Sequence, residues 1–181
     1  MDADRLLADL NRWAADRRAD AAAAARARER SLRQQAAETA TLAGVLVDLA
    51  ERRAAVVVRT SSGIVHRGRL VAVGQDFAAL TGDGDRAPAT FVATAALVSV
   101  RPVDGPAAAA TGDRAPSDLD LGSVLAGAAV ERPRVRVAVG VEQVVGELLA
   151  AGLDVVTVRT DGDPPAVVYV PLASVSEVSL G

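Results

Sequence analysis

GRLVAVGQDFAALTGDGDRAPATFVATAALVSV, residues 68–100, aligns without a gap with GELLAAGLDVVTVRTDGDPPAVVYVPLASVSEV, residues 146–178. Both Gly and Asp positions recur in register, as Gly68/Gly146, Gly74/Gly152, Asp76/Asp154 and two Asp-Gly-Asp tripeptides. Shared composition accounts for matched Ala and Val, but it is a poor account of Gly and Asp in the same register. The sequence therefore predicts a unit that occurs twice, 78 positions apart.

Each unit shows the alternation of strands. Val135, Val137 and Val139 alternate with Arg134, Arg136 and Ala138, a period of two that indicates a half-buried strand. Gly63 and Gly140 are predicted turn glycines, and Gly68 and Gly146 fall inside a strand, where a missing side chain permits a sharp bend. Gly74 and Gly152 close the next turn. In the second unit the predicted strands are 134–139, 142–151, 153–160, 166–171 and 174–179.

The repeat extends upstream into apolar helical segments. LAGVLVDLAERR from Leu42 resembles LGSVLAGAAVER from Leu121, and Val58 is placed opposite Val135. We therefore predict an α+β protein with units at 42–102 and 121–181, each a short helix followed by five strands. Five short, strongly bent strands favour a small Sm-like or SH3-like barrel. Residues 103–120, rich in Pro, Gly, Asp and Ala, are interpreted as a flexible linker.

Residues 1–41 form an Ala/Arg-rich segment that is predicted to be helical. Residues 2–41 lack Pro and Gly and consist largely of strong helix formers. Leu6, Leu10 and Trp13 share one helical face, whereas 19–31 offers only Ala as apolar content. Both a solvent-exposed single helix and a closely packed helical hairpin fit this pattern.

VVVRTSSGIVHRGRLVAVGQDFAAL, residues 56–80, resembles the start of bacterial Hfq and other Sm-like domains. A turn glycine is followed about five residues later by a bend glycine, and the next strand ends near an Asp. The resemblance implies Sm-like barrels and, with them, RNA binding or ring assembly. RNA-binding members carry an Asn shortly after this Asp, but here Phe77-Ala78-Ala79 and Val155-Val156-Thr157 follow it. No RNA-contacting residue is therefore carried over, since fold alone does not specify function.

Composition narrows the class of protein. Cys is absent, which excludes disulfides and thiol catalysis. All basic residues other than His66 are Arg, and with the abundant Ala, Val and Gly this is typical of a high-GC bacterium of the actinobacterial kind. The chain shows neither a signal peptide nor an apolar run of about 18 residues, so a cytoplasmic location is expected. Net charge is −3, with +2 in 42–102 and −3 in 121–181.

Candidate contacts lie on the N-terminal helix. Arg26, Arg30 and Arg33 share one face, with Arg28 nearby, and are candidates for phosphate or partner contact. The simpler interpretation is a solvated face that Glu29 and Asp20 partly neutralise. Trp13 is interpreted as a helix-packing or interface anchor.

The remaining polar features favour structural roles. The Asp-Gly-Asp tripeptides are interpreted as polar turns, because a calcium loop needs more oxygen ligands. His66 is interpreted as structural or exposed, because a catalytic base needs an orienting partner. Asp76 and Asp154 are expected to accept backbone N–H groups in their turns. No cofactor, metal or small-molecule ligand is indicated.

These features are compatible with two functions. The first is a non-catalytic assembly module that associates with itself or with another protein, because small barrels expose edge strands that need cover. The second is an RNA- or DNA-binding regulator, although no segment carries the basic excess of a nucleic-acid module. We expect that the protein is not an enzyme, since its sequence shows no nucleophile–base pair and no phosphate loop. No membrane partner is expected.

Overall fold

A computed structural model of the protein describes residues 3–82, 88–103 and 114–181, with side chains from residue 12 onward. The chain forms two compact units, Met1–Ala40 and Thr41–Gly181. The first unit is a single helix, α1 (Ala3–Glu38), and not a hairpin. Its strong helix formers run without Pro or Gly, so nothing in the sequence interrupts it.

The second unit is α+β. Its first half contains α2 (Leu42–Glu51), β1 (Ala55–Thr60), β2 (Val65–Val73), β3 (Phe77–Thr81), β4 (Ala89–Ala93) and β5 (Leu97–Pro102). Its second half contains α3 (Leu121–Ala128), β6 (Arg134–Val139), β7 (Glu142–Ala151), β8 (Val155–Thr160), β9 (Val167–Pro171) and β10 (Val175–Leu180). Short 3₁₀ turns precede β5, β6 and β10.

All ten described strands belong to one antiparallel sheet. Their order is β5-β1-β2-β3-β4-β10-β6-β7-β8-β9, so each half has the same internal order and the two halves meet at β4 and β10. Among the described residues β5 and β9 pair on one side only, and the sheet is not closed. The sequence predicts two closed barrels, whereas the described strands form this one open sheet.

The strand ladders correct one part of the repeat alignment. Val56 lies opposite Gly68, and Val135 lies opposite Gly146, so Val56 corresponds to Val135. Placing Val58 opposite Val135 was therefore wrong, and Val137 is the counterpart of Val58. The first turn has one more residue in the first half than in the second. Corresponding residues are therefore 79 positions apart before this turn and 78 positions apart after it.

Two apolar clusters fill the sheet unit. Leu46 and Leu49 of α2 pack with Val56, Val58 and other strand residues of the first half. In the second half, Leu121 and Leu125 of α3 pack with Val135, Val137 and Leu148. Each short helix therefore buries one apolar face against its own strands, as the helical periodicity predicts.

Part of the stretch interpreted as a linker is held by the first half. Ser117 donates its backbone N–H to Val73 O at 2.9 Å, and Gln75 donates its own to Leu119 O at 2.8 Å. Arg114 forms ion pairs with the buried Asp48, at 3.2 Å, and with Glu51. Residues 114–120 therefore lie along the first half, and 104–113 lie outside the described residues.

Candidate functional site

The junction between the halves is the β4–β10 ladder. Val92, Phe91, Thr90 and Ala89 lie opposite Glu177, Val178, Ser179 and Leu180. The hydroxyls of Thr90 and Ser179 are 3.1 Å apart, within hydrogen-bond distance. Continuous backbone pairing thus fixes one half against the other in a defined register.

Aromatic side chains of the first half complete the core of the second. Phe77 and Ala79 of β3 are buried within the cluster that contains Leu121, Val137 and Val178. Phe77 meets Phe91 edge-to-face, with ring centroids 5.7 Å apart. Such a pair adds about 0.5–1.5 kcal/mol to the burial of its surface. The junction is therefore a packed core and more than a strand contact.

A carboxylate of the first half binds the start of α3. Asp76 Oδ1 accepts the backbone N–H of Leu121 at 2.8 Å, one of the N–H groups that a helix leaves without an internal partner. Asp120 caps the same helix by accepting the N–H of Ser123 at 2.7 Å. Hydrogen bonds from the Ser123 backbone and then its side chain lower the pKa of Asp120.

His66 has a partner that sequence inspection missed. Its Nε2 lies 2.6 Å from Glu177 Oε2, and the Glu177 side chain is only 5% exposed. His66 belongs to β2 and Glu177 to β10, 111 residues away, so the pair spans the junction. No local spacing signals such a contact. The pair provides a buried acid with a partner at the point where the halves meet.

The outer strands carry the counterparts of the junction residues in exposed form. Tyr169 of β9, which corresponds to Phe91, is 70% exposed. Val98 of β5 is 61% exposed, whereas its counterpart Ser176 is 6% exposed. Leu42 at the start of α2 is 51% exposed, and Leu121 at the start of α3 is 2% exposed. The more buried residue of each pair lies beside the other half of the sheet, whereas its exposed counterpart has no half beside it in the described part of the chain.

Each outer strand also carries a proline that faces outward. Val103 donates its N–H to Ala55 O, and because N–H directions alternate along a strand, the nitrogen of Pro102 faces away from β1. Leu172 donates to Asp154 O, so the nitrogen of Pro171 faces away from β8. Because proline has no backbone N–H, a proline that faces outward removes one hydrogen-bond donor from the free edge and weakens its pairing with another strand.

A cluster of arginines lies on the exposed face of β1, β2 and β5. Arg67 and Arg101 flank Val57 from either side, and Arg59 lies two residues further along β1. Together with Val65 and Ser99 these residues line a depression of about 580 Å³. Within the described part of the chain, none of the three guanidinium groups has a hydrogen bond or an ion pair. Sequence inspection missed this cluster because it joins three strands.

The arginines of α1 are exposed. Arg33 pairs with Glu29 at 2.5 Å, and Arg28 donates to Ala24 O at 3.4 Å. Arg26 and Arg30 are exposed on the same helix. Trp13 is 62% exposed, with the Arg17 guanidinium 5.4 Å from its ring centroid.

The glycines that the sequence predicts at turns and bends lie in turns or inside strands of the sheet. Gly63 and Gly140 have φ of 83° and 58°, which favours Gly at both turns. A Cβ on Gly68 or Gly146 would overlap a carbonyl oxygen of the adjacent strand. Gly74 and Gly152 donate their N–H groups to Phe77 O and Val155 O.

Asp154 differs from Asp76. Its side chain is exposed and has no hydrogen-bond partner among the described residues, although its backbone oxygen accepts from Leu172. Asp76 binds a distant helix instead of its own turn, which departs from the expected local role. Asp161 pairs with Arg134 at 2.5 Å, and residues 83–85 lie outside the described residues.

Metal binding and membrane spanning find no support within the residues described. No group of three or more acidic or His residues in these ranges is placed to hold a metal ion. No helix there combines the length and apolar character needed to cross a membrane. No family model, curated protein or solved structure matches the chain.

Proposed function

We propose that the protein is a non-catalytic assembly module whose copies associate head to tail, with β9 of one copy beside β5 of the next. The observation that carries the proposal is the β4–β10 junction, where an equivalent pair of strands already associates within the chain. Strands β9 and β5 are the counterparts of β4 and β10, and each lacks a neighbour on its outer side among the described residues.

The junction defines the register of the proposed contact. Phe91 lies opposite Val178 and Ala89 opposite Leu180 within the chain. The corresponding pairs between copies are Tyr169 with Val100 and Val167 with Pro102. The exposed Tyr169 would then cover apolar surface of the next copy, as Phe91 does at the junction.

The ends of the short helices support the same contact. At the junction, Asp76 binds the N–H of Leu121 and the Leu121 side chain is buried. The counterparts are the unpartnered Asp154 and the exposed Leu42. In the head-to-tail arrangement Asp154 of one copy faces the start of α2 in the next. An exposed acid and an exposed leucine thus both acquire partners.

Duplicated Sm-like barrels are part of this proposal. Two halves with the same strand order, each preceded by a short helix, support a duplication. The resemblance to Sm-like domains implies a closed ring. A head-to-tail interface closes into a ring when its rotation permits and otherwise extends as a filament. A cytoplasmic location stays a prediction.

Light scattering over a concentration series tests the proposal. We expect a mass above that of one chain at micromolar concentration, and a shift towards the monomer in Tyr169→Asp, which places a charge in the contact. Because Tyr169 is exposed in the single chain, this variant should keep its circular dichroism spectrum. Val141→Asp, in the turn between β6 and β7, is the matched control and should assemble normally. A wild-type monomer at these concentrations would overturn the proposal.

Nucleic-acid binding through α1 remains the alternative. It predicts salt-dependent binding that weakens when Arg26, Arg30 and Arg33 are replaced by Ala. The pairing of Arg33 with Glu29 reduces the charge free for phosphates on this face. Absence of RNA and DNA binding at low salt would remove this alternative and leave the assembly proposal unchanged.

A further inference from the structure

The arginine depression lies on the exposed face of β1, β2 and β5. Arg67, Val57 and Arg101 form one row across the three strands, and Val65, Arg59 and Ser99 form the next. Neighbouring strands lie about 4.8 Å apart, so the Cα atoms of Arg67 and Arg101 are about 10 Å apart. Their long side chains can therefore converge on one small ligand above Val57.

We propose that Arg59, Arg67 and Arg101 bind a compact oligophosphate, a ligand with two or more linked phosphate groups. The guanidinium group presents its donors in a planar fork that fits phosphate oxygens in pairs. Three such groups without a counter-ion among the described residues supply +3 at one place. The depression of about 580 Å³ lies within the usual size range of small-molecule sites.

The lining distinguishes a compact ligand from a nucleic acid. No aromatic residue lines the depression, so the site offers no platform for stacking bases. The cluster of three arginines is not repeated in the second half. Val145 and Ser179 occupy the positions that correspond to Arg67 and Arg101. A compact oligophosphate suits this isolated patch better than the long backbone of a nucleic acid does.

The same counterparts supply conservative variants. Arg67→Val and Arg101→Ser introduce the residues that the second half carries in the same strands, so both are compatible with this fold. Arg136 is an exposed arginine at the position that corresponds to Val57, and it has no partner within the described residues. Arg136→Val therefore removes one charge without touching the depression. It serves as the matched control for Arg101→Ser, which also removes one charge.

Calorimetric titration with inorganic tripolyphosphate, pyrophosphate and orthophosphate tests the proposal. We expect saturable binding that tightens with phosphate number, at least a tenfold loss of affinity in Arg67→Val/Arg101→Ser, and little change in Arg136→Val. Arg101→Ser alone should give an intermediate loss. Circular dichroism and thermal unfolding establish that each variant is folded. Absence of saturable tripolyphosphate binding at low salt would overturn the proposal, as would equal losses in the double variant and the control.

A single-stranded RNA oligonucleotide serves as the competing ligand. Displacement of RNA by tripolyphosphate, with RNA binding no more tightly per phosphate, supports the compact ligand. Affinity that rises with RNA length beyond a few nucleotides would overturn it in favour of a nucleic acid. Ser99 and Arg101 lie on β5 but alternate with Val100, so their side chains face the opposite side of the sheet from the proposed Tyr169 contact. Tyr169→Asp should therefore leave tripolyphosphate binding intact.

Discussion

The β4–β10 junction and the outer strands β9 and β5 use equivalent positions of the two halves, yet their surroundings differ. Phe91 packs at the junction, whereas Tyr169 is exposed at the outer edge. Leu121 is buried beside Asp76, whereas Leu42 is exposed. Burial at these positions is therefore decided by a neighbouring half as well as by residue type.

The outer edges also differ from the junction in their hydrogen-bonding capacity. Pro102 takes the place of Leu180, and Pro171 takes the place of Ala93, so each outer strand lacks one outward N–H. A contact between copies would keep the register of the junction but lose some of its hydrogen bonds. We therefore expect association between chains to be weaker than the junction within the chain.

The largest expected effect is at the junction core. Phe77→Ala removes a buried ring that belongs to the core of the second half, and such truncations cost about 3–5 kcal/mol. Its counterpart Val155 is only partly buried, so Val155→Ala should cost clearly less. Denaturant unfolding measures both free energies. Equal losses would contradict the claim that the junction is a packed core.

Removing the edge prolines should make the outer strands pair more like the strands of the junction. Pro102→Leu/Pro171→Ala gives the outer strands the residues of the junction and restores both outward N–H groups. We expect self-association to tighten by about tenfold, since two hydrogen bonds are restored at about 0.5–1.5 kcal/mol each. Sedimentation velocity over a dilution series measures the change. Unchanged association would place the contact elsewhere on the surface.

The two aspartates provide a smaller contrast. Asp76→Ala removes the acceptor for the Leu121 N–H and should cost about 1 kcal/mol, as lost helix caps do. Asp154→Ala should leave the stability of the single chain unchanged, because its side chain has no partner within the described ranges. Thermal unfolding of both variants, at protein concentrations too low for assembly, measures the two losses of stability. Equal destabilisation by Asp76→Ala and Asp154→Ala would contradict the different roles of the two carboxylates.

The smallest effect concerns pH. The pKa of Asp120 is lowered in the folded state, mainly by the backbone N–H of Ser123, so its carboxylate stabilises the fold above its unfolded pKa. This contribution is lost as pH falls through the lowered folded value, below about pH 4. Asp120→Asn should therefore differ most from wild type near neutral pH and converge with it in acid. Thr41 caps α2 with a hydroxyl, and Thr41→Ser should show no such pH dependence.

Local patterns predicted much of the fold. The alternation in 134–139 and the glycines at 63 and 140 correspond to the observed strand β6 and to the two turns with positive φ. These features depend on neighbouring residues, which is why periodicity and turn chemistry reveal them. Helix propensity predicted the helical character of 3–38, but it left a single helix and a hairpin both open.

Contacts between distant segments were not predictable from local patterns. The His66–Glu177 pair joins residues 111 positions apart, and Asp76 binds a helix 45 positions away. The arginine depression exists only because three strands align Arg59, Arg67 and Arg101 on one face. Register between strands therefore determined the candidate sites, and register is set by the whole sheet.

Disulfide trapping detects the pairing of β9 with β5 in the register of the junction. The chain has no Cys, so Val100→Cys/Tyr169→Cys introduces the only thiols. Facing residues of this kind have Cα atoms about 5.5 Å apart, a spacing that a disulfide spans. We expect a ladder of disulfide-linked chains on mild oxidation, and none beyond background for Val100→Cys/Val141→Cys. A Val100→Cys/Tyr169→Cys protein that stays a single chain, at concentrations where wild type assembles, would rule out this pairing.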